Sequence, residues 1–144
     1  MKQRPASDDD THATRSWVGP TAAERTALLQ RSRTVAIVGV SADPSRPSHG
    51  VAAYLDAASD YELYFVNPHA EEILGRPVVD TLADLPVVPD IVDVFRRHEH
   101  LPDVLEQTLA IGAPAIWLQL GLRHEDVARR AENAGLVVVM DRCL

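Results

Sequence analysis

A chain of 144 residues with 46% hydrophobic content suits one domain with a packed core. No apolar run reaches the ~18 residues that cross a bilayer, and the opening MKQRPASDDDTHATR lacks the apolar stretch of a secretory signal. A net charge of −7 with no basic stripe argues against nucleic acid, and the lone cysteine, Cys143, forbids an intrachain disulfide and fits a reducing cytoplasm.

Residues 1–19 are polar and aperiodic and read as a disordered tail, with Asp8, Asp9 and Asp10 solvated rather than metal-binding. Residues 20–144 read as one domain. Thr21 and Glu24 form a capping-box signature that opens a short helix to about Ser32. Val35 to Val38 is a strand, and a Ser- and Pro-rich loop leads from it into a helix over Gly50 to about Ala58. That order expects free backbone N–H groups and a helix dipole to face an anion. Leu63 to Val66 is a second strand, closed by Asn67-Pro68. The next stretch reads as irregular, with short helical turns at Glu71 to Leu74 and around Leu82 to Leu85. Ile91 to Phe95 is a strand, Leu101 to Ile111 a helix ended by Gly112, and Ala115 to Leu120 a strand. Glu125 to Asn133 is a helix ended near Gly135, and Leu136 to Met140 is the fifth strand.

The strands are short, apolar and mostly unalternated, as when helices cover both faces. Five strands joined by helical crossovers predict an α/β fold around a parallel sheet. Ligands of such sheets lie beyond the carboxyl ends of the strands, near the switch in strand order. The residues there are Gly39, Val40, Ser41, Arg46 and Ser48 after the first strand, and Asn67 and Pro68 after the second. Phe95, Arg96 and Arg97 follow the third, Gln119, Leu120 and Gly121 the fourth, and Asp141, Arg142 and Cys143 the fifth. Gly39 permits a tight turn or a close ligand approach, Ser48 could cap a helix or donate to phosphate, and Arg46 is a candidate phosphate contact. A dinucleotide dehydrogenase would show G-x-G-x-x-G, but positions 41 and 44 are Ser and Pro, and no acidic residue ends the second strand. A different adenosine diphosphate derivative is expected.

The segments VAIVGVSADPSRPSHGVAAYL, YFVNPHAEEILGRPVVDTLADLP, DIVDVFRR, AIWLQLG and VVVMDRCL resemble the small stand-alone CoA-binding proteins, whose fold is like the CoA-binding domain of the succinyl-CoA synthetase α subunit. The resemblance covers residues 20–144. It implies a Rossmann-like, three-layer, doubly wound five-stranded domain that holds coenzyme A or an acyl-CoA. By the family pattern, Gly39, Val40, Ser41, Arg46 and Ser48 would hold the pyrophosphate, and Asn67 and Pro68 would lie by the adenosine. Phe95 and Arg96 would cover the adenine or pantetheine side, and Gln119 and Gly121 would line the pantetheine arm.

No catalytic or metal-binding set is expected. His49, His69, His98, His100 and His124 read as polar surface or caps, Asp93 as the partner of a backbone donor or helix terminus, and Trp117 as core. Cys143, beside Arg142 at the ligand edge, suggests a mixed disulfide with the CoA thiol. A binding protein without catalysis is therefore the leading expectation. The alternatives are a nucleotide-dependent oxidoreductase, a thiol- or acyl-handling enzyme using Cys143, and a nucleotide-sensing regulator. A homodimer through the apolar face of the N-terminal helix, or a protein partner, is a further expectation.

Overall fold

The computed structural model describes residues 17–144. Its elements run in the order α1 (Ala22–Arg31), β1 (Thr34–Val38), α2 (Pro47–Ala58), β2 (Glu62–Val66), β3 (Glu72–Ile73), β4 (Arg76–Val79), β5 (Ile91–Val94), α3 (Leu101–Ile111), β6 (Ala115–Leu118), α4 (Glu125–Asn133) and β7 (Val137–Val139). Single 3-10 turns occupy Leu82–Asp84 and His98–His100. Residues 1–16 of the expected tail lie outside the described residues. Trp17 packs onto α4, its backbone N–H donating to Glu125 Oε1 and its Nε1 to Glu132 Oε1.

The strands form one sheet in the order β3-β4-β2-β1-β5-β6-β7, parallel throughout except β3 against β4. The sheet is thus doubly wound about β1, and the order reverses between β1 and β5. β1 explains why the sequence there is unalternated. Ala36 and Val38 face a core cluster with Val104 of α3 and Val127 of α4, while Val35 and Ile37 face one with Leu28 of α1 and Leu55 of α2. With helices on both faces, apolar side chains in either direction are buried. The same packing occupies the apolar face of α1: Leu28 is buried in the core and Leu29 packs against it.

Local chemistry fixes the helix ends. Thr21 and Glu24 make the expected capping box at α1, and Gly112 closes α3 at a φ of 76°. His124 caps α4, its Nδ1 accepting the Val127 N–H at 3.2 Å.

Two expectations are corrected. The sheet has seven strands rather than five, because residues 72–79 form a hairpin where a helical turn was expected at Glu71 to Leu74. Its turn is Leu74-Gly75, with both residues at positive φ (52° and 74°). Such two-residue turns are signalled by Asn-Gly or Asp-Gly, and Leu-Gly hides this one. Second, α2 begins at Pro47 rather than Gly50, with proline pre-set for the first helical turn.

Candidate functional site

The β1–α2 loop is built by its own side chains. Ser48 Oγ, buried in the first turn of α2, accepts the Ser41 N–H at 2.9 Å. Ser41 Oγ accepts the Asp43 N–H, and Asp43 Oδ1 accepts both the N–H and the hydroxyl of Ser45. The Arg46 N–H donates to the Asp43 carbonyl. These short-range turns are what Ser and Asp side chains offer a backbone. The Ser45 donors also hold the Asp43 carboxyl below its usual range. Of the loop N–H donors expected to face an anion, those of Ser41, Asp43, Ser45 and Arg46 are engaged within the loop. Nor is Ser48 a cap, since Arg46 occupies that position of α2.

Gly39 sits where the loop meets the end of β5. At φ +84° its N–H donates to Val66 O, and a Cβ there would lie 2.1 Å from the Phe95 carbonyl oxygen. The close approach that requires glycine is made by this chain's own backbone.

Beyond the carboxyl ends of β1, β5 and β6 opens a pocket of about 550 Å³, within the range usual for small-molecule sites. It lies where the strand order reverses, as open α/β sheets place their ligands. Among the residues singled out in the sequence, Gly39, Ser41, Arg46 and Ser48 line it from the loop side. Phe95, Arg96, Gln119 and Cys143 line it from the other strands. Val51, Leu120 and Leu122 add apolar wall, and Arg97 adds a third guanidinium. Val51 and Leu122 carry no signal of their own in the sequence. Val51 arrives one helical turn after Pro47, and Leu122 through a turn in which its N–H donates to the Gln119 carbonyl.

Four expected site residues stand apart from this pocket. Val40 is fully buried in the core behind the loop. Asn67 joins two strand ends, its Nδ2 donating to Val40 O at 2.8 Å and its Oδ1 accepting the His69 N–H. Pro68 is exposed beside it. Gly121, at φ 90°, donates its N–H to Asp141 Oδ1 at 2.6 Å.

The pocket's charge is one-sided. Among the described residues no carboxylate lines it, and none stands within ion-pair distance of Arg46, Arg96 or Arg97. Three arginines thus line one largely apolar hollow in a chain of net charge −7.

Behind the floor lies Asp93, in the middle of β5 and wholly buried. The expectation that it serves a backbone donor or helix terminus is corrected. Its Oδ1 accepts Gln119 Nε2 at 2.5 Å and its Oδ2 has no partner. Burial pushes its pKa up to about 7, against the lowering effect of the Gln119 hydrogen bond. With the Gln119 amide nitrogen held by Asp93, that residue offers the pocket its carbonyl oxygen.

Trp117 is core, with Nε1 donating to Arg142 O at 2.8 Å, and this bond draws the segment after β7 across the strand ends. Cys143 is exposed on that segment. His98 stacks on His124 with ring centroids 4.4 Å apart.

A family model described as a CoA binding domain matches residues 33–144. An uncharacterised protein of Bacillus subtilis, YneT, is 42% identical over 125 residues, which cover 87% of this chain and 92% of that one. Among solved structures, a protein of Thermus thermophilus superposes with a TM-score of 0.81 at 40% identity, over 87% of this chain and 94% of that one. A hypothetical protein of Pyrococcus horikoshii does so at 0.81 and 33%, over 90% and 91%.

Proposed function

The chain belongs to the CoA-binding-domain family, and from that premise we propose that it binds coenzyme A or an acyl-CoA in the pocket at the carboxyl edge of the sheet. The observation that carries the reading is the set of three arginines, Arg46, Arg96 and Arg97, that line a largely apolar hollow with no carboxylate in ion-pair distance among the described residues. CoA matches it in kind: a phosphorylated, polyanionic nucleotide end joined to a largely apolar pantetheine arm. Arginine forms charge-assisted, often bidentate bonds with phosphate. Phe95, Val51 and Leu122 offer the apolar surface, and the Gln119 carbonyl can accept an amide N–H of the pantetheine.

Calorimetric titration with CoA, dephospho-CoA, NAD and ATP tests the reading. CoA is expected to bind far more tightly than NAD or ATP. A drop with dephospho-CoA would assign one of the arginines to the 3′-phosphate. Binding of NAD in place of CoA would overturn the proposal and favour an oxidoreductase. Binding is proposed without turnover, so an acyl-CoA incubated with the protein is expected to persist. Thioester loss faster than in buffer would sink that part.

The position of Cys143 on the pocket wall favours a second reading, a mixed disulfide with CoA. With CoA disulfide as the oxidant, the Cys143 thiolate would attack one sulfur and release one CoA thiolate. Intact mass would then show one CoA-sized adduct, absent from Cys143→Ser. An unmodified wild-type chain would discard the idea.

A further inference from the structure

The edge of the sheet does not close at Cys143. Leu120 and Cys143 also line a second chamber of about 370 Å³, whose far wall includes Arg25 and Leu29 of α1. Trp117 and Arg142 line it as well. α1 precedes residues 33–144, so this wall lies outside the stretch that the family model matches. The two hollows share their boundary residues and so lie end to end along the strand termini.

The charges in the chamber are specific. Arg25 donates Nη1 to the Pro20 carbonyl at 2.9 Å. Neither Arg25 nor Arg142 has a carboxylate within ion-pair distance among the described residues. Among the described residues, the one acidic residue on the wall is Asp141. Its Oδ1 accepts the Gly121 N–H, and its Oδ2 stands 3.8 Å from Arg123 Nη1. That carboxylate is engaged elsewhere and leaves the two arginines uncompensated. Leu29, Trp117 and Leu120 supply apolar surface between them and the first pocket.

We propose that this chamber takes the acyl group of an acyl-CoA, and that the group it fits ends in a carboxylate met by Arg25 and Arg142. The inference rests on the reading of the first pocket as a CoA site. With phosphates on Arg46, Arg96 and Arg97, the thioester lies toward Cys143 and the acyl chain passes Leu120. A plain alkyl chain would cover two guanidiniums without offering them an anionic partner, which is unfavourable. A terminal carboxylate pairs with them through charge-assisted bonds, while its methylenes lie along the apolar wall.

The test is calorimetric titration of the full chain with CoA, pentanoyl-CoA and glutaryl-CoA. The two thioesters have equal carbon counts and differ by a terminal carboxylate. Glutaryl-CoA is expected to bind ~10-fold more tightly than pentanoyl-CoA. In Arg25→Met, and separately in Arg142→Met, that preference is expected to vanish while CoA affinity stays within about twofold. Equal or weaker binding of glutaryl-CoA to the wild type overturns the proposal, as does a variant that weakens all three ligands alike. If none of the three binds the wild type, the CoA reading falls and takes this proposal with it. If CoA binds and the preference is absent, only the chamber's assignment falls.

Discussion

Two segments meet over the pocket, and they treat their polar groups in opposite ways. The β1–α2 loop satisfies itself: Ser41, Asp43, Ser45 and Ser48 bond to one another's backbone or side chains. The segment after β5 leaves Arg96 and Arg97 without a carboxylate partner among the described residues. The serines therefore hold a shape, and the arginines carry the unmet charge. A glycine-rich phosphate loop combines both jobs in one backbone; here the loop serines do the first, and Arg46 of the loop joins Arg96 and Arg97 in the second.

The largest test of that division lies at the contact between the segments. Gly39→Ala would place a Cβ 2.1 Å from the Phe95 carbonyl oxygen at a φ of +84°. A loss of about 3–5 kcal/mol of stability is expected from the clash and the left-handed backbone together. Urea denaturation measures it, and a loss below about 1 kcal/mol would mean that the segments move apart easily.

Next comes the buried acid behind the β5 side. Asp93 has its pKa raised to about 7 by burial. The folded chain thus keeps a proton that the unfolded chain gives up near pH 4. This contribution is fully present below the unfolded value, declines as pH rises, and is lost above about 7. From pH 5 to pH 8, Asp93→Asn is expected to gain about 3 kcal/mol relative to the parent. Other carboxylates cancel in that difference. A stability gap that does not change with pH would show that Asp93 is ionised throughout.

Third, Arg46→Met and Arg96→Met are each expected to weaken CoA binding ~10-fold with little change in melting temperature. Equal loss of affinity and stability would mean that the arginines shape the pocket rather than read the ligand. The smallest effect belongs to the loop. Ser48→Ala leaves the Ser41 N–H without its acceptor and is expected to cost about 1–2 kcal/mol of stability. CoA affinity would fall less than about threefold. A larger affinity loss would move Ser48 from shaping to direct contact.

The sequence made the frame legible where burial is two-sided and long. β1, β2, β5 and β6 stand out because their apolar runs feed both core clusters. The β3–β4 hairpin did not, since a strand of two residues has no period and its Leu74-Gly75 turn lacks the usual signal. At the strand ends, the polar residues were legible by position, but their partners were not. Asn67 stands out as a polar strand end, but its bond to Val40, 27 positions away, does not. Asp93 looked like the partner of a backbone donor, yet it meets Gln119 across two strands. Such pairings depend on strand order, which the local pattern of a single sequence does not fix.

The one-sided charge of the pocket also has a kinetic consequence. Most of the surface of an acidic chain repels a polyanion, while the mouth at Arg46, Arg96 and Arg97 attracts it. Encounters are thereby funnelled to one face before any contact forms. The association rate would then decline as salt shortens the reach of that field to about 8 Å at physiological ionic strength.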